Sequence, residues 1–333
     1  MVTPTQENPP EPGGASAGGG PAGKLGQRRK DRIDALAATA DSDAGTSLAA
    51  SAWRRLRRSP MFLTGAVIIG LFVLVSLLAP WLAPHDPSEP MLIDQVVKAR
   101  NEIPPAQPGH VLGGDLQGRD FFSRLLVGSQ QTLIVGVLAT LIGLAGGLTL
   151  GTLAGAFGGW VDSVVMRLVD VMLSLPSLLL AFSISAMFAR PNQYTVIIAV
   201  AVVQIPVFAR LLRGSMLAQR HSDHVLAATA LGVKPGAIVF RHMLPNSLGP
   251  VIVQSTLVLA TAIIDAAALS FLGLGNPDDR VPEWGQMLGD VQNVFDTHPH
   301  LAFWPAGCII VVALGFTLMG ETLREALDPK SRR

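Results

Sequence analysis

The sequence predicts an all-α membrane protein, a bundle of six transmembrane helices. Two observations carry this prediction. Of the 333 residues, 49% are hydrophobic and only 15% are charged, whereas a soluble protein carries about a quarter charged residues. The apolar residues also gather into runs about as long as the roughly 20 residues that a helix needs to cross a bilayer. A water-soluble fold is therefore excluded, and a net charge of only +1 argues against a nucleic-acid partner.

The N-terminal part of the chain divides at about residue 50. The first 23 residues contain 5 Pro and 6 Gly, and such a composition cannot bury enough apolar surface to fold. Residues 1–50 are therefore predicted to be a disordered cytoplasmic tail. Residues 51–84 are predicted to form an interfacial elbow, marked by Trp53 and four arginines, followed by the first transmembrane helix.

Five further apolar runs predict the other spans, and Asp265, in the fifth span, is the only charged residue within these runs. An outer segment, residues 85–124, precedes these runs. The transmembrane core is expected over 125–323, and a cytoplasmic C-terminal tail is expected over 324–333. Pro176 and Pro206 are expected to interrupt the third and fourth spans. The runs cover residues 125–161, 171–189, 191–209, 243–274 and 301–320. Glycines in the second span predict a face for close helix packing, made by Gly143, Gly146, Gly147, Gly151 and Gly155.

The positive charges indicate the orientation of the bundle. With a cytoplasmic N-terminus, 19 of the 25 Lys and Arg residues fall on the inner side and 6 on the outer side. Because cytoplasmic loops carry an excess of Lys and Arg, both termini are predicted to be cytoplasmic. Two outer segments, 85–124 and 276–300, are too long to be simple turns. The second is either an ordinary connecting loop or a cap over the outer mouth.

The cytoplasmic stretch 214–246 is predicted to be a short helix-turn-helix. Ser222 or Asp223 can cap a first helix, and Gly232 stands where a left-handed C-cap is needed. Pro235 can start a second helix. The second helix is expected to present a face made of Ile238, Phe240 and Met243. Small residues that would let a partner protein approach the first helix are Ala227, Ala228 and Ala230.

Two stretches of the chain match known motifs. The loop 214–246 follows the pattern E-A-A, three residues, G, then a hydrophobic residue before L-P, with matches at Ala227, Ala228, Gly232, Leu244 and Pro245. The stretch 112–125 follows L-G-T-D-x-x-G-R-D-x-x-S-R, with matches at Asp115, Gly118, Arg119 and Asp120. Over residues 53–331 the chain thus resembles the permeases of binding-protein-dependent ABC importers, in particular the C-type permeases of dipeptide, oligopeptide and nickel importers.

This resemblance implies a function. The chain would be the transmembrane subunit of a peptide importer that works by alternating access, with nickel or glutathione as alternative substrates within the same family. Its partners would be a homologous second permease, two ABC ATPase subunits and an extracytoplasmic solute-binding protein. Since no P-loop occurs in the chain, ATP hydrolysis is expected on the partner subunits and the chain itself is expected to be non-catalytic. No cofactor or metal is implied, and the three histidines of the loop 214–246 are not expected to bind one.

The chain departs from the family motifs at two positions. Leu226 replaces the glutamate of E-A-A. Any polar contact that this glutamate makes in the family would have to come from another residue here, such as Asp223 or Arg220. Gly114 stands where the family often has threonine, which weakens a local cap.

Three ionisable residues lie within the predicted spans or just before the third one. Asp265 lies in the fifth span, where an unpaired carboxylate is costly; it either lines the pathway or accepts an interhelical hydrogen bond. Arg167 and Asp170 are one helical turn apart and are expected to neutralise each other. Asp265 also permits an alternative of another class, an ion-coupled secondary carrier, although no inverted repeat is evident. A membrane hydrolase is disfavoured because no G-x-S-x-G motif occurs.

Overall fold

A computed structural model of the chain describes residues 53–96 and 102–327. The predicted tail 1–50 lies outside the described residues, as do residues 328–333 of the predicted C-terminal tail. The α-helices of the described part are α1 (Pro60–Leu82), α2 (Phe121–Phe157), α3 (Gly159–Ser174), α4 (Ser177–Ala186), α5 (Gln193–Gln219), α6 (Asp223–Ala230), α7 (Pro235–Ile238), α8 (Leu244–Leu269), α9 (Trp284–Asp290) and α10 (His300–Leu327). Short π-helical turns, Val239–Met243 and Ser270–Leu274, precede and follow α8.

The described part contains five helices that are long and apolar enough to cross a membrane. They are α1, α2, α5, α10 and the run Pro235–Leu274, which contains α7 and α8. The pair α3 and α4 counts as a sixth span if its two halves are taken together. The predicted all-α bundle is therefore confirmed, with one of its spans broken.

The third span, predicted over 171–189 with an interruption at Pro176, is broken at that proline, but its predicted start is wrong. The chain bends by 97° between α3 and α4, and α3 begins well before the predicted span, at Gly159. Pro176 explains the break: its ring pushes the preceding residue away from helical geometry, and Leu175 is extended, with φ −92° and ψ 140°. Pro206 behaves differently, because α5 continues through it without interruption.

The predicted glycine face of α2 is confirmed as its contact with α5. A Cβ atom built on Gly147 would lie 2.3 Å from the Cβ of Phe208, and one on Gly151 would lie 2.8 Å from the carbonyl oxygen of Ala209. No side chain fits at such distances. The glycines therefore let the two helix backbones approach closely, as is typical of helices packed in a membrane.

The outer segments pack on the ends of the helices. The indole Nε1 of Trp284, the first residue of α9, donates a hydrogen bond of 2.9 Å to the carbonyl oxygen of Leu125 in α2. Trp284 is buried in one apolar cluster with Phe72 of α1 and Leu301 of α10. The loop between α8 and α10 is thus a packed element that joins three helices, rather than a simple connection.

Candidate functional site

The loop 214–246 folds as two helices joined by a tight turn. Gly232 has φ +76°, the left-handed conformation predicted for it. Its N–H donates to the carbonyl of Thr229 and the N–H of Val233 donates to the carbonyl of Ala228, at 3.0 and 3.1 Å. These two bonds form a Schellman motif. They end α6 and turn the chain sharply into α7, which starts at Pro235 as predicted.

The two faces of α6 differ in their surroundings. Val225 and Ala228 are buried in a cluster with Phe208, Leu212 and Met216 of α5. Ala228 is therefore not available to a partner, contrary to the prediction, because its methyl group packs inside the chain. Ala227 is exposed, as are two larger apolar side chains, Leu226 at 54% and Leu231 at 83%. Asp223 is the first residue of α6 and is also exposed.

The predicted face of the second helix is only partly correct. Ile238 and Met243 are buried, but Phe240 is 64% exposed. The reason is helix geometry: residues two positions apart lie on opposite sides of a helix, so Phe240 faces away from Ile238. Phe240 thereby adds to the exposed apolar surface of the loop.

The loop is joined to a transmembrane helix without a break. The chain is helical from Pro235 through the π turn and α8, and it leaves helical geometry only at Gly273, whose φ is +81°, so α7, the π turn and α8 form one rod. The junction between the π turn and α8 contains Leu244, which is half-buried, and Pro245, which is exposed. Because Pro245 stands in the first turn of α8, its missing N–H interrupts no hydrogen bond within α8. α7 and α8 are therefore parts of one continuous element.

The outer motif 112–125 forms a buried ionic network. Oδ1 of Asp115 accepts hydrogen bonds from the backbone N–H groups of Gln117 and Arg119, both at 2.9 Å. Oδ2 of Asp115 lies 2.8 Å from Nε of Arg119 and 3.2 Å from Nε of Arg124. Gly118 closes the turn with φ +73°, and a Cβ atom there would lie 2.5 Å from the backbone nitrogen of Ile93. The structure thus places the motif residues together.

Asp120 caps the N-terminus of α2. Its Oδ2 accepts a hydrogen bond of 2.7 Å from the N–H of Ser123, and its Oδ1 lies 2.9 Å from Nδ1 of His110. Burial raises the pKa of Asp120, but the hydrogen bonds from Ser123 and His110 outweigh burial, so the pKa is lowered overall. Asp120 is consequently ionised at neutral pH.

The expected pair of Arg167 and Asp170 is not formed. Asp170 instead pairs with Arg210 of α5, at 2.5 Å. One turn further along α5, Arg213 forms a two-bond ion pair with Asp162. Arg167 is exposed and pairs with no residue of the described ranges 53–96 and 102–327. The charges of α3 thus serve to fasten it to α5, a contact between helices that a local spacing rule does not detect.

Asp265 is half-buried in α8. Within the part of the chain that the structure describes, it accepts no hydrogen bond and forms no ion pair. The interhelical hydrogen bond considered from the sequence is therefore not formed in this part of the chain.

Two family descriptions match the sequence. Residues 147–333 match the family described as binding-protein-dependent transport system inner membrane component. Residues 47–105 match the N-terminal transmembrane domain of oligopeptide transport permease C.

Curated relatives cover most of the chain. The dipeptide transport system permease protein DppC of Alkalihalophilus pseudofirmus is 40% identical over 281 residues, which are 84% of this chain and 90% of the relative. The probable D,D-dipeptide transport system permease protein DdpC of Escherichia coli is 41% identical over 83% of this chain and 90% of its own length. The glutathione transport system permease protein GsiD of Pectobacterium atrosepticum is 37% identical over 84% of this chain and 90% of its own length.

A solved structure shares the fold. The MetNI methionine ABC transporter, solved in inward-facing conformations, aligns with a TM-score of 0.50 over 62% of this chain and 96% of that chain, at 18% identity. At this identity the likeness shows the fold alone. The sequence matches and the arrangement of helices agree, and the chain belongs to the family of binding-protein-dependent transport system inner membrane components.

Proposed function

We propose that this chain is the permease subunit of an ATP-driven peptide importer and that its loop 214–246 couples it to partner ATPases. The observation that carries this proposal is the exposed apolar surface on α6 and the following turns, held on a rod that continues into α8. A connecting loop between two spans has no need of such a surface or of such a rigid attachment.

The exposed surface consists of Leu226, Leu231 and Phe240, which we call the loop patch. Large apolar side chains exposed on a water-facing loop are typical of protein interaction sites. Leu226 stands where the family motif has glutamate, so this chain offers an apolar contact in place of a charged one. We infer that the loop patch, with Asp223 and Ala227 beside it, enters a groove on an ATPase subunit.

The mechanism requires two conformations of the bundle. Docking alone shifts no equilibrium, because a partner changes the populations of two states only if it binds them differently. Closure of the ATPases would displace α6 and α7, and the rod made of α7, the π turn and α8 would carry that displacement into the membrane. Gly232, Leu244 and Pro245 shape this path without needing to touch the partner.

The remaining partners and the orientation follow from the family. A homologous second permease would complete the pathway, and an extracytoplasmic solute-binding protein would deliver the substrate. The excess of positive charge on one side supports cytoplasmic termini. We infer that Asp265 lines the pathway between the two permeases, and the lack of a partner for its carboxylate in the described part of its own chain supports this. The absence of a P-loop motif supports a non-catalytic role.

The substrate we propose is a short peptide. Relatives at 40% and 41% identity are named as dipeptide permeases, and relatives at 37% and 42% as glutathione permeases. Glutathione is itself a modified tripeptide, so both names agree on the chemical class. Competition of a labelled dipeptide by glutathione or by nickel ions in reconstituted vesicles would separate these substrates.

The docking of the loop patch is tested by co-purification. The double variant Leu226→Asp/Leu231→Asp places two charges on the patch without disturbing a buried residue, and we expect it to lose the ATPase subunits. The matched control is Val111→Asp, at a side chain that is 68% exposed in the outer segment, which should retain them. Retention of the ATPases by the double variant, with unimpaired ATP-driven uptake, would overturn the proposal.

A further inference from the structure

The outer segment brings together three metal-binding side chains that the peptide pathway does not explain. His85 follows the end of α1, His110 lies in the outer segment and Asp120 precedes α2. One nitrogen of each imidazole and one oxygen of the carboxylate all lie within 4.8 Å of one another. The two rings are stacked, with centroids 4.4 Å apart.

The hydrogen bonds of this group leave one atom without a partner. Nδ1 of His110 lies 2.9 Å from Oδ1 of Asp120, whereas Nδ1 of His85 lies 3.8 Å from Oδ2 of the same carboxylate, beyond hydrogen-bond distance. Nδ1 of His85 is shielded from solvent and has no hydrogen-bond partner. An unpaired buried nitrogen is costly unless something binds it.

From this geometry we propose that His85, His110 and Asp120 form a binding site for a divalent transition metal ion of the zinc class. Two imidazoles and one carboxylate are a ligand set that zinc uses when a fourth position is left open to water. Nickel and copper accept the same ligands, whereas calcium and magnesium prefer oxygen.

The side chains must close slightly around the ion. Ligands about 2.0–2.2 Å from a tetrahedral metal lie roughly 3.5 Å apart, so the widest separation in the group has to shrink by about 1 Å. His85 can supply this movement because it lies on a loop and is only partly buried. Asp120 keeps its helix cap meanwhile, since Oδ2 bonds the N–H of Ser123 and Oδ1 is the oxygen facing His110.

Metal binding would fasten the outer ends of α1 and α2 to each other. The backbone N–H of His85 already donates a hydrogen bond of 3.1 Å to Oγ of Ser123 in α2. The ion would add a second connection and would stabilise the folded outer segment, because a ligand that binds only the folded state raises the free energy of unfolding. This site is independent of which substrate the importer carries.

The test is zinc titration of the purified full-length chain by calorimetry, with the visible spectrum of bound cobalt as a second readout. We expect one zinc ion per chain and a melting temperature that rises with zinc concentration, with neither effect from magnesium. The variants His85→Ala and Asp120→Asn should each weaken binding by on the order of 10- to 100-fold or more, because loss even of an outer-shell partner costs that much.

Two controls separate this site from other histidines. His298→Ala removes one ring of a second outer pair, His298 and His300, whose centroids are 5.9 Å apart, and it should bind zinc like the unaltered chain. His221→Ala/His224→Ala removes cytoplasmic rings and should do the same. Zinc binding that survives His85→Ala, or that is lost only in the cytoplasmic variant, would overturn the proposal, as would no binding by the unaltered chain.

Discussion

The hydroxyl of Ser270 lies 3.0 Å from each carboxylate oxygen of Glu283. Ser270 directly follows α8 and Glu283 directly precedes α9, so this contact ties the end of a transmembrane helix to the outer loop. Glu283 is buried, and burial raises its pKa to about 7 even though the Ser270 hydrogen bond lowers it. The outer loop thus holds a carboxyl group that changes its charge near neutral pH.

The free energy of unfolding should depend on pH through Glu283. Its pKa is raised in the folded state above the usual value of 4.5, so the folded chain holds the proton more tightly than the unfolded chain. The stabilising contribution is complete below pH 4.5 and is lost as the pH rises to about 7, by up to ~1.4 kcal/mol per pH unit. Glu283→Gln, which stays neutral, should flatten the melting temperature between pH 5 and pH 8.

A control for this effect is Asp278→Asn, an exposed carboxyl in the same loop. It should leave the pH profile of the melting temperature unchanged. A Glu283→Gln variant with the same pH profile as the unaltered chain would show that Glu283 is not the titrating group.

Asp115 should be the most sensitive position of the outer motif. Its carboxylate is shared by Arg119 and Arg124, and Arg124 is only 1% exposed. Asp115→Asn would remove the negative charge that neutralises these buried guanidinium groups. We expect the free energy of unfolding to fall by about 3–5 kcal/mol. Asp279→Asn removes an exposed partner of Arg119 and should cost less than about 1 kcal/mol. Thermal unfolding of both variants checks this order; equal losses would contradict it.

Gly147 should tolerate no side chain. Its Cβ would lie 2.3 Å from Phe208 and 2.9 Å from the carbonyl oxygen of Ile205, so Gly147→Ala forces α2 and α5 apart. We expect a loss of about 1–3 kcal/mol, the usual cost of overpacking. Gly214→Ala is the control, since nothing lies within 4 Å of a Cβ atom there, and it should be neutral or stabilising. Unfolding in detergent measures both; an unchanged Gly147→Ala would rule out the close helix contact.

Gly232 should affect the coupling of transport to ATP hydrolysis only through its backbone conformation. Nothing lies within 4 Å of a Cβ atom at this position, but its φ of +76° is strained for any other residue. Gly232→Ala should therefore cost about 1–2 kcal/mol at the turn and lower the transport obtained per ATP hydrolysed. Gly236→Ala, also in open space but at an ordinary φ, should leave this ratio unchanged. If both variants couple normally, the turn does not need the left-handed conformation.

The features that could be predicted from the sequence are those that depend on single residues or on residues close together in the chain. Hydrophobicity along the chain located the spans, and the glycines of the second span located its contact with α5. The left-handed turn at Gly232 and the helix start at Pro235 follow from the chemistry of single residues.

The features that could not be predicted depend on residues far apart in the chain. Asp170 and Arg210 are 40 positions apart, so the local pairing with Arg167 was the wrong choice. Ser270 approaches Glu283 only because the chain folds back after α8, and His85 meets Asp120 only through the outer segment. No spacing pattern in the sequence marks such contacts.

The central claim is that ATP hydrolysis by partner subunits drives peptide uptake through this chain. The most direct measurement is uptake of a labelled dipeptide by vesicles that contain the co-purified complex, with ATP supplied or withheld and with or without an uncoupler. We expect uptake that requires ATP, persists with the uncoupler and is lost in Leu226→Asp/Leu231→Asp. Uptake that proceeds without ATP and collapses with the uncoupler would contradict this claim and indicate an ion-coupled carrier instead.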